Sequence, residues 1–259
     1  AHVVEEVRDG AYRRTLRLVA GNGVVSLTPH PDHVQCELAL DDFRDLSTAI
    51  ARCRRLLDLD ADPEAVVDAL SGDEQLTALI AKAPGQRIPR TVDESELALR
   101  VVIGQQISVK ATRTHAGRLA QAYGTPIDDA KGGLTHVFPS VEQLASIDPT
   151  HLAFPKTRQR TFTTLVRALA DGTVVLDPGC DWNRARQQLL ALPGIGPWTA
   201  EVIAMRGLGD PDAFPVTDLG VLAAAKALGL PSDPKVLTER SGRWRPWRAY
   251  ATQHLWTAL

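Results

Sequence analysis

One stretch restricts this chain more than any other: Leu189-Leu-Ala-Leu-Pro-Gly-Ile-Gly-Pro-Trp-Thr-Ala-Glu-Val-Ile-Ala204. A polar segment from Asp181 leads into it, and an apolar run leads out. Between two helix-forming segments stand Pro193, Gly194, Ile195 and Gly196. Two glycines two apart let the backbone turn tightly and bare its N–H groups. Pro197 suits the first position of the second helix. The unpaired N–H groups at a helix start, with the helix dipole behind them, make a ready site for an anion such as a phosphate. An ordinary corner between two packed helices explains a bare Gly-x-Gly equally well. The full Leu-Pro-Gly-Ile-Gly running into Pro-Trp-Thr-Ala is far more specific.

Charge supports a phosphate partner by its distribution rather than its sum. The 259 residues carry a net charge of −2. Residues 1–70 hold 8 Lys/Arg against 13 Asp/Glu, whereas residues 71–259 hold 21 against 18. Three acid-free stretches lie in the second part. One carries Arg100, Lys110, Arg113 and Arg118; another carries Lys156, Arg158, Arg160 and Arg167; the last carries Arg240, Arg243, Arg245 and Arg248. Such stretches are usually solvated faces, but three of them around a phosphate-binding hairpin fit a nucleic-acid footprint. No apolar run approaches the roughly 20 residues of a membrane span, and no secretory signal pattern is present. Cys36, Cys53 and Cys180 are scattered with no Cys-x-x-Cys spacing, which argues against zinc or an iron–sulfur cluster and for free thiols in the cytoplasm. The seven histidines, His2, His30, His33, His115, His136, His151 and His254, share no ligand spacing. The start at Ala1 rather than Met admits a trimmed chain or a piece of a longer protein.

Residues 1–70 read as a small α+β lobe. Tyr12–Val19, Val24–Thr28 and Val34–Leu40 alternate as three antiparallel strands, turned at Gly21-Asn22-Gly23 and at the Pro/Asp stretch 29–32. Asp41 or Asp42 caps a helix over about 43–57 with Leu46, Ile50, Cys53 and Leu57 on one face, and Asp62-Pro63 opens another. A bridge rich in Pro and Gly, Ala83–Arg90, leads to a body that is helical with few strand signals. Its helices are predicted over about 94–104, 107–122, 156–170, 182–190, 197–206, 219–228, 234–240 and 246–255, with short ones from Ser140 and Pro149. The fold class is mainly α with a small α+β N-terminal lobe. The helical body, 71–259, is expected to form two lobes, about 94–211 and 71–93 with 212–259, around a cleft.

Beyond the hairpin stands Gly209-Asp210-Pro-Asp-Ala-Phe-Pro-Val-Thr-Asp218. The pair of motifs, Leu-Pro-Gly-Ile-Gly-Pro-Trp-Thr-Ala and then Phe-Pro-Val-Thr-Asp, resembles the helix–hairpin–helix–Gly/Pro–Asp superfamily of DNA glycosylases, in its bacterial 3-methyladenine DNA glycosylase II type. Arg87–Asp93, Val101–Val109 and Arg243-Trp-Arg-Pro-Trp-Arg-Ala-Tyr with His254-Leu-Trp256 extend the likeness. Residues 1–70 are similar to that family's TATA-binding-protein-like sheet lobe without its first strand, which leaves open a fusion to, or cooperation with, an alkylation-response protein.

The resemblance implies a bacterial, nucleoid-associated monomer that binds double-stranded DNA, flips out an alkylated base and hydrolyses its N-glycosidic bond. Asp218 would be the catalytic carboxylate, stabilising charge that develops on the sugar and directing water; as an Asp before a helix it also reads as an N-cap. Trp198 stands where related lyases carry a Lys for Schiff-base chemistry, so a monofunctional enzyme is expected. Trp198 and Trp256 would stack on the extruded, cationic base; Trp182, Trp244 and Trp247 read as structural. Gln105 would face the lesion and Gln106 fill the gap it leaves, in place of the family's apolar wedge. Val202 departs from an expected aromatic. Gly194, Ile195, Gly196 and Thr199 would hold a DNA phosphate, and the carbonyls of Leu190, Leu192 and Ile195 a structural Na+ or K+. No other cofactor is implied. Other readings stay open: a glycosylase for hypoxanthine or for oxidised or mismatched purines, or a non-catalytic lesion-sensing module, which would have no need of Asp218.

Overall fold

The structure is a computed structural model and describes residues 3–258; Ala1, His2 and Leu259 lie outside the described residues. In chain order come β1 (Glu5–Arg8), β2 (Ala11–Arg17), β3 (Asn22–Pro29), β4 (Val34–Leu40), α1 (Leu46–Leu56), α2 (Pro63–Leu70), α3 (Glu74–Lys82), α4 (Glu94–Ile103) and α5 (Val109–Tyr123). The two-residue strands β5 (Thr125–Pro126) and β6 (His136–Val137) follow. After them come α6 (Val141–Ala145), α7 (Lys156–Ala170), α8 (Trp182–Leu190), α9 (Pro197–Ile203), α10 (Leu219–Ala227), α11 (Pro234–Arg240) and α12 (Arg248–Thr257). Contacts group these into two compact units, with boundaries inside α1 and α4. One holds the described residues up to Cys53 with Ala98–Thr173; the other holds Arg54–Leu97 with Val174–Leu259. Residues 54–70, expected in the sheet lobe, therefore group with the second unit.

The first unit is built on an antiparallel meander of order β1-β2-β3-β4. It has one strand more than the three expected. The extra strand, β1, joins β2 through Asp9-Gly10, both at positive φ (52° and 78°), the signature of a two-residue hairpin turn. Its Glu5-Glu6-Val7-Arg8 gave no apolar alternation to announce it. The polarity is offset locally: buried Arg13 reaches Glu6 at 2.5 Å and Asp129 at 2.6 Å, closing an ion triad. Thr15 and Arg17 donate to the carbonyls of His136 and Phe138 (3.1 and 2.8 Å), which binds β2 to the segment after the β5–β6 ribbon. That ribbon was also unforeseen; two residues a side are too few to show a period.

The second unit packs around one apolar core that includes Leu70, Leu76, Ile80, Met205, Val221, Leu237, Trp244 and Leu255. Among its elements α3 was not expected from the sequence. Asp73 caps it, accepting from the Gln75 N–H at 3.1 Å, and Leu76 and Ile80 are its buried face. Asp is this unit's habitual helix opener: Asp62, Asp181 and Asp233 cap α2, α8 and α11 in the same way. The helix expected over 197–206 is α-helical only to Ile203. A π-helical turn, Ala204–Leu208, then carries the chain to Gly209, whose φ of +77° ends it. No helix of the described residues is long and apolar enough to cross a membrane.

Candidate active site

The hairpin lies in the second unit. α8 ends at Leu190, and the turn that follows is held by backbone bonds from Leu192 N–H to Leu189 C=O (3.0 Å) and from Ile195 N–H to Leu192 C=O (3.1 Å). Gly194 needs its missing side chain, since its φ is +87°. Gly196 does not need it for the fold. Its φ is −98°, and a Cβ there would meet nothing within 4 Å. Both glycines face solvent, while Ile195 and Thr199 are buried. Gly196 is the N-cap of α9 and offers no side-chain cap, with Pro197 behind it. The start of α9 therefore presents backbone rather than side chain.

From α9 the chain reaches Asp218 through a clamped loop. Glu201 on α9 accepts from Arg186 Nε of α8 at 2.8 Å and from the Phe214 N–H at 2.8 Å. Arg186 also donates to Asp210. Asp212 accepts from Arg248 Nε of α12 at 2.7 Å and from Arg245, and the Arg248 guanidinium lies 5.8 Å from the centre of the Phe214 ring. Asp210 and Asp212 are thus the anchors of the loop. Arg186 and Glu201 were missed altogether. Their only sequence signal is an opposite-charge pair 15 residues apart across the hairpin.

Asp218 is where these supports converge. Its Oδ1 accepts from the Gly220 and Val221 N–H groups at 2.9 and 3.1 Å, so it caps α10 as expected. Two further donors set it apart from an ordinary cap. Trp198 Nε1 donates to Oδ2 at 2.8 Å, and Trp256 Nε1 donates to Oδ1 at 2.8 Å. The carboxylate is half-buried, as are both indoles, and no Lys or Arg of the described residues pairs with it. Beside it Leu219 leaves its side chain 83% exposed. Four donors fix this carboxylate in position, and no cation among the described residues is paired with it. Such a group stabilises positive charge that develops next to it and orients a water.

The structure thus brings Asp218, Trp198 and Trp256 into one hydrogen-bonded cluster. The sequence had cast the indoles as stacking platforms; their N–H groups hold the carboxylate. Val202 is buried on α9. His254, buried with its pKa pushed below the usual histidine value by desolvation, is neutral core. Gln105 and Gln106 lie in the other unit, at the end of α4. Gln106 is exposed and takes a left-handed φ of +56°, uncommon for a residue with a side chain. The Gln105 carbonyl accepts from Arg158 of α7.

Comparison with known proteins agrees with this geometry. Residues 1–93 match the AlkA N-terminal domain, and residues 99–248 match the HhH-GPD superfamily of base excision DNA repair proteins. Over 255 residues the chain is 72% identical to a probable bifunctional transcriptional activator/DNA repair enzyme AlkA of Mycobacterium tuberculosis; the match covers 98% of this chain and 51% of that protein, so the chain spans about half its length. It is 33% identical over 260 residues to DNA-3-methyladenine glycosylase 2 of Escherichia coli, covering 98% and 87% of the two chains. The solved 3-methyladenine DNA glycosylase of Archaeoglobus fulgidus has the same fold, with a TM-score of 0.85 at 20% identity over 98% and 88% of the chains.

Proposed function

The chain belongs to the HhH-GPD superfamily of base excision DNA repair proteins, and on that premise we propose that it is a monofunctional DNA glycosylase that removes alkylated bases, 3-methyladenine first among them, and leaves an abasic site. The observation that carries this reading is the grip on Asp218. Breaking an N-glycosidic bond puts positive charge on the sugar, and a fixed, cation-free carboxylate is suited to stabilise it. Held in place by four hydrogen bonds with no cation paired to it, Asp218 acts chiefly through charge and by orienting water. A cationic alkylated base is already a good leaving group, so little general-acid help is needed. With an indole at position 198 in place of an amine, the site has no nucleophile there for Schiff-base chemistry.

DNA would be held by the hairpin. The N–H groups of Gly194 and Gly196, with the Thr199 hydroxyl, are assigned to a backbone phosphate; the Ile195 N–H instead closes the turn onto the Leu192 carbonyl. The open space around Gly196 supports this, since a Cβ there would meet nothing within 4 Å and a ligand can approach the backbone. The carbonyls of Leu190, Leu192 and Ile195 would hold a Na+ or K+, which would supply positive charge beside that phosphate. They are hard oxygen donors at a helix end, and Leu192 spends one of its two lone pairs on Ile195. Side chains do not fit a divalent or zinc site, since no group of three His, Cys, Asp or Glu that could hold a metal occurs among the described residues. Gln106, exposed on a left-handed backbone, is assigned to the gap left by the flipped base, with Gln105 beside it.

The test is Asp218→Asn, which retains the cap but not the charge. Release of 3-methyladenine from methylated duplex should fall by about 100-fold or more, while duplex affinity stays within about threefold. Full activity in this variant overturns the reading; a parent chain that binds the duplex but releases no base would point to a non-catalytic module instead. Product strands should be cut only by alkali, and a cut without it would disprove monofunctionality. Mass spectrometry of the bases freed separates 3-methyladenine from hypoxanthine as the preferred substrate.

A further inference from the structure

The first unit carries a row of cations that neither the fold nor the Asp218 site uses. α7 runs 15 residues without an acid, and Lys156, Arg160 and Arg167 stand on one side of it, all exposed. No ion pair among the described residues involves any of the three. Together with Gln159, Thr163 and Thr164 they line an open groove of about 390 Å³ that has no acidic wall. The row spans 11 residues, or roughly 16 Å of helix. That length matches about five steps of a DNA strand at about 3.4 Å each. Only Arg167, in the last turn, complements the helix dipole; the cations at the other end do not serve the helix. Lys156, Arg158 and Arg160 crowd its first turns, where positive charge opposes the helix dipole.

We propose that this groove binds the phosphodiester backbone of DNA, as a second anchoring surface separate from the hairpin. It reads charge and spacing, with the Thr164 hydroxyl as a neutral group between the cations; the Gln159 amide and the Thr163 hydroxyl donate to the backbone carbonyls of Leu152, Phe154 and Gln159 and shape the wall of the groove. The proposal rests on the glycosylase reading only in choosing DNA as the polyanion.

The experiment uses the whole chain with a 25-base-pair undamaged duplex, titrated between 50 and 200 mM KCl. The variant is Lys156→Ala/Arg160→Ala/Arg167→Ala, and the charge-matched control is Lys82→Ala/Lys226→Ala/Lys235→Ala. Each phosphate contact contributes about 0.9 to the slope of log affinity against log salt. The α7 variant should therefore lose between about 2 and 3 of that slope, and the control less than about 0.5. Its melting temperature should stay within about 2 °C of the parent, because the conflict relieved at Lys156 and Arg160 is offset by the loss of Arg167 at the favourable end of the helix; this shows that the variant folds. An unchanged slope, or an equal loss in the control, overturns the proposal. If bases are released but the slope stands, this site fails alone. If the slope falls but no base is released by the parent chain, the glycosylase reading fails alone.

Discussion

Two aspartates of the second unit are held in nearly the same way and are left in opposite electrostatic states. Asp73 caps α3, accepts from the Trp244 indole N–H at 2.7 Å and has Arg240 Nη1 at 2.8 Å. Asp218 caps α10 and accepts from two indole N–H groups, at 2.8 Å each. The first is buried, 3% exposed, and neutralised by its arginine; the second is half-buried with no cation paired to it. An indole donor and a helix start are therefore general means of fixing a carboxylate. Whether a cation closes the set decides if the charge is spent on structure or kept available. Asp73 stands for the first outcome and Asp218 for the second.

Exchanging charge for an isosteric amide at each position should separate the two roles. Asp73→Asn leaves the Arg240 guanidinium without its partner in a buried place, and should cost roughly 3 kcal/mol of unfolding free energy, read by denaturant melts. Below its melting temperature that variant should release bases within about threefold of the parent rate. Asp218→Asn should do the reverse, losing the reaction and almost no stability, since Asn caps as well as Asp. If Asp73→Asn is as inactive as Asp218→Asn while folded, the distinction drawn from the cation is wrong.

A third acid in the other unit extends the comparison to pH. Burial alone would raise Glu5, but the charge and hydrogen bond of Arg100, the charge of Arg14 and the Tyr12 hydroxyl outweigh it and hold the group down to about 2. A depressed folded pKa contributes stability that is present above the unfolded value, near 4.5, and is lost as pH falls toward 2. About 3 kcal/mol is involved. Melts of the parent should therefore weaken between pH 4.5 and 2 more steeply than those of Glu5→Gln, and parallel curves would show that Arg100 does not hold Glu5 as described.

The two aspartates also show what a sequence reveals. Asp218 was legible because the hairpin, the Phe-Pro-Val-Thr-Asp run and the cap signal are local and stand at a fixed spacing. Its two indole donors were named as site residues without their bonds to the carboxylate, because a spacing says that a ring is near and not which edge it offers. Asp73 was not legible. Its helix α3 carries a local signal in Leu76 and Ile80 after an Asp, but Trp244 is 171 residues away. A pairing of that range leaves no pattern in the chain. The same holds for β1, whose burial depends on Arg13 reaching Asp129, 116 residues on, and for Arg186 and Glu201, which matter only once the loop has closed. Local periodicity and motif spacing were readable; partners chosen by tertiary closure were not.

The indoles can be tested as donors. Trp198→Phe and Trp256→Phe keep an aromatic ring and remove one N–H from Asp218. If each donor contributes a charge-assisted bond of about 1.4 kcal/mol, either variant should slow base release about tenfold at saturating DNA. An effect on affinity for lesion-bearing duplex with an unchanged rate would return the rings to the stacking role expected from the sequence.

The mildest perturbation lies at Gly220, whose N–H is one of the four donors to Asp218. A Cβ placed there would stand 3.1 Å from Asp218 Oδ1 and 3.2 Å from Trp256 Cδ1. Both distances are tighter than ordinary contact, so a neighbour must give by a few tenths of an ångström. The backbone at Gly220 is helical, so Ala is free of strain and gains roughly 0.5–1 kcal/mol of helix propensity. Gly220→Ala should therefore melt at or slightly above the parent temperature while releasing bases about threefold more slowly, because the Trp256 donor is pushed off its carboxylate oxygen. The two readouts move in opposite directions only if the glycine is kept for the sake of the charge at Asp218. A variant that is both more stable and fully active would mean that the Trp256 contact tolerates displacement, and that the precision of the grip on Asp218 resides in Trp198 and the helix start.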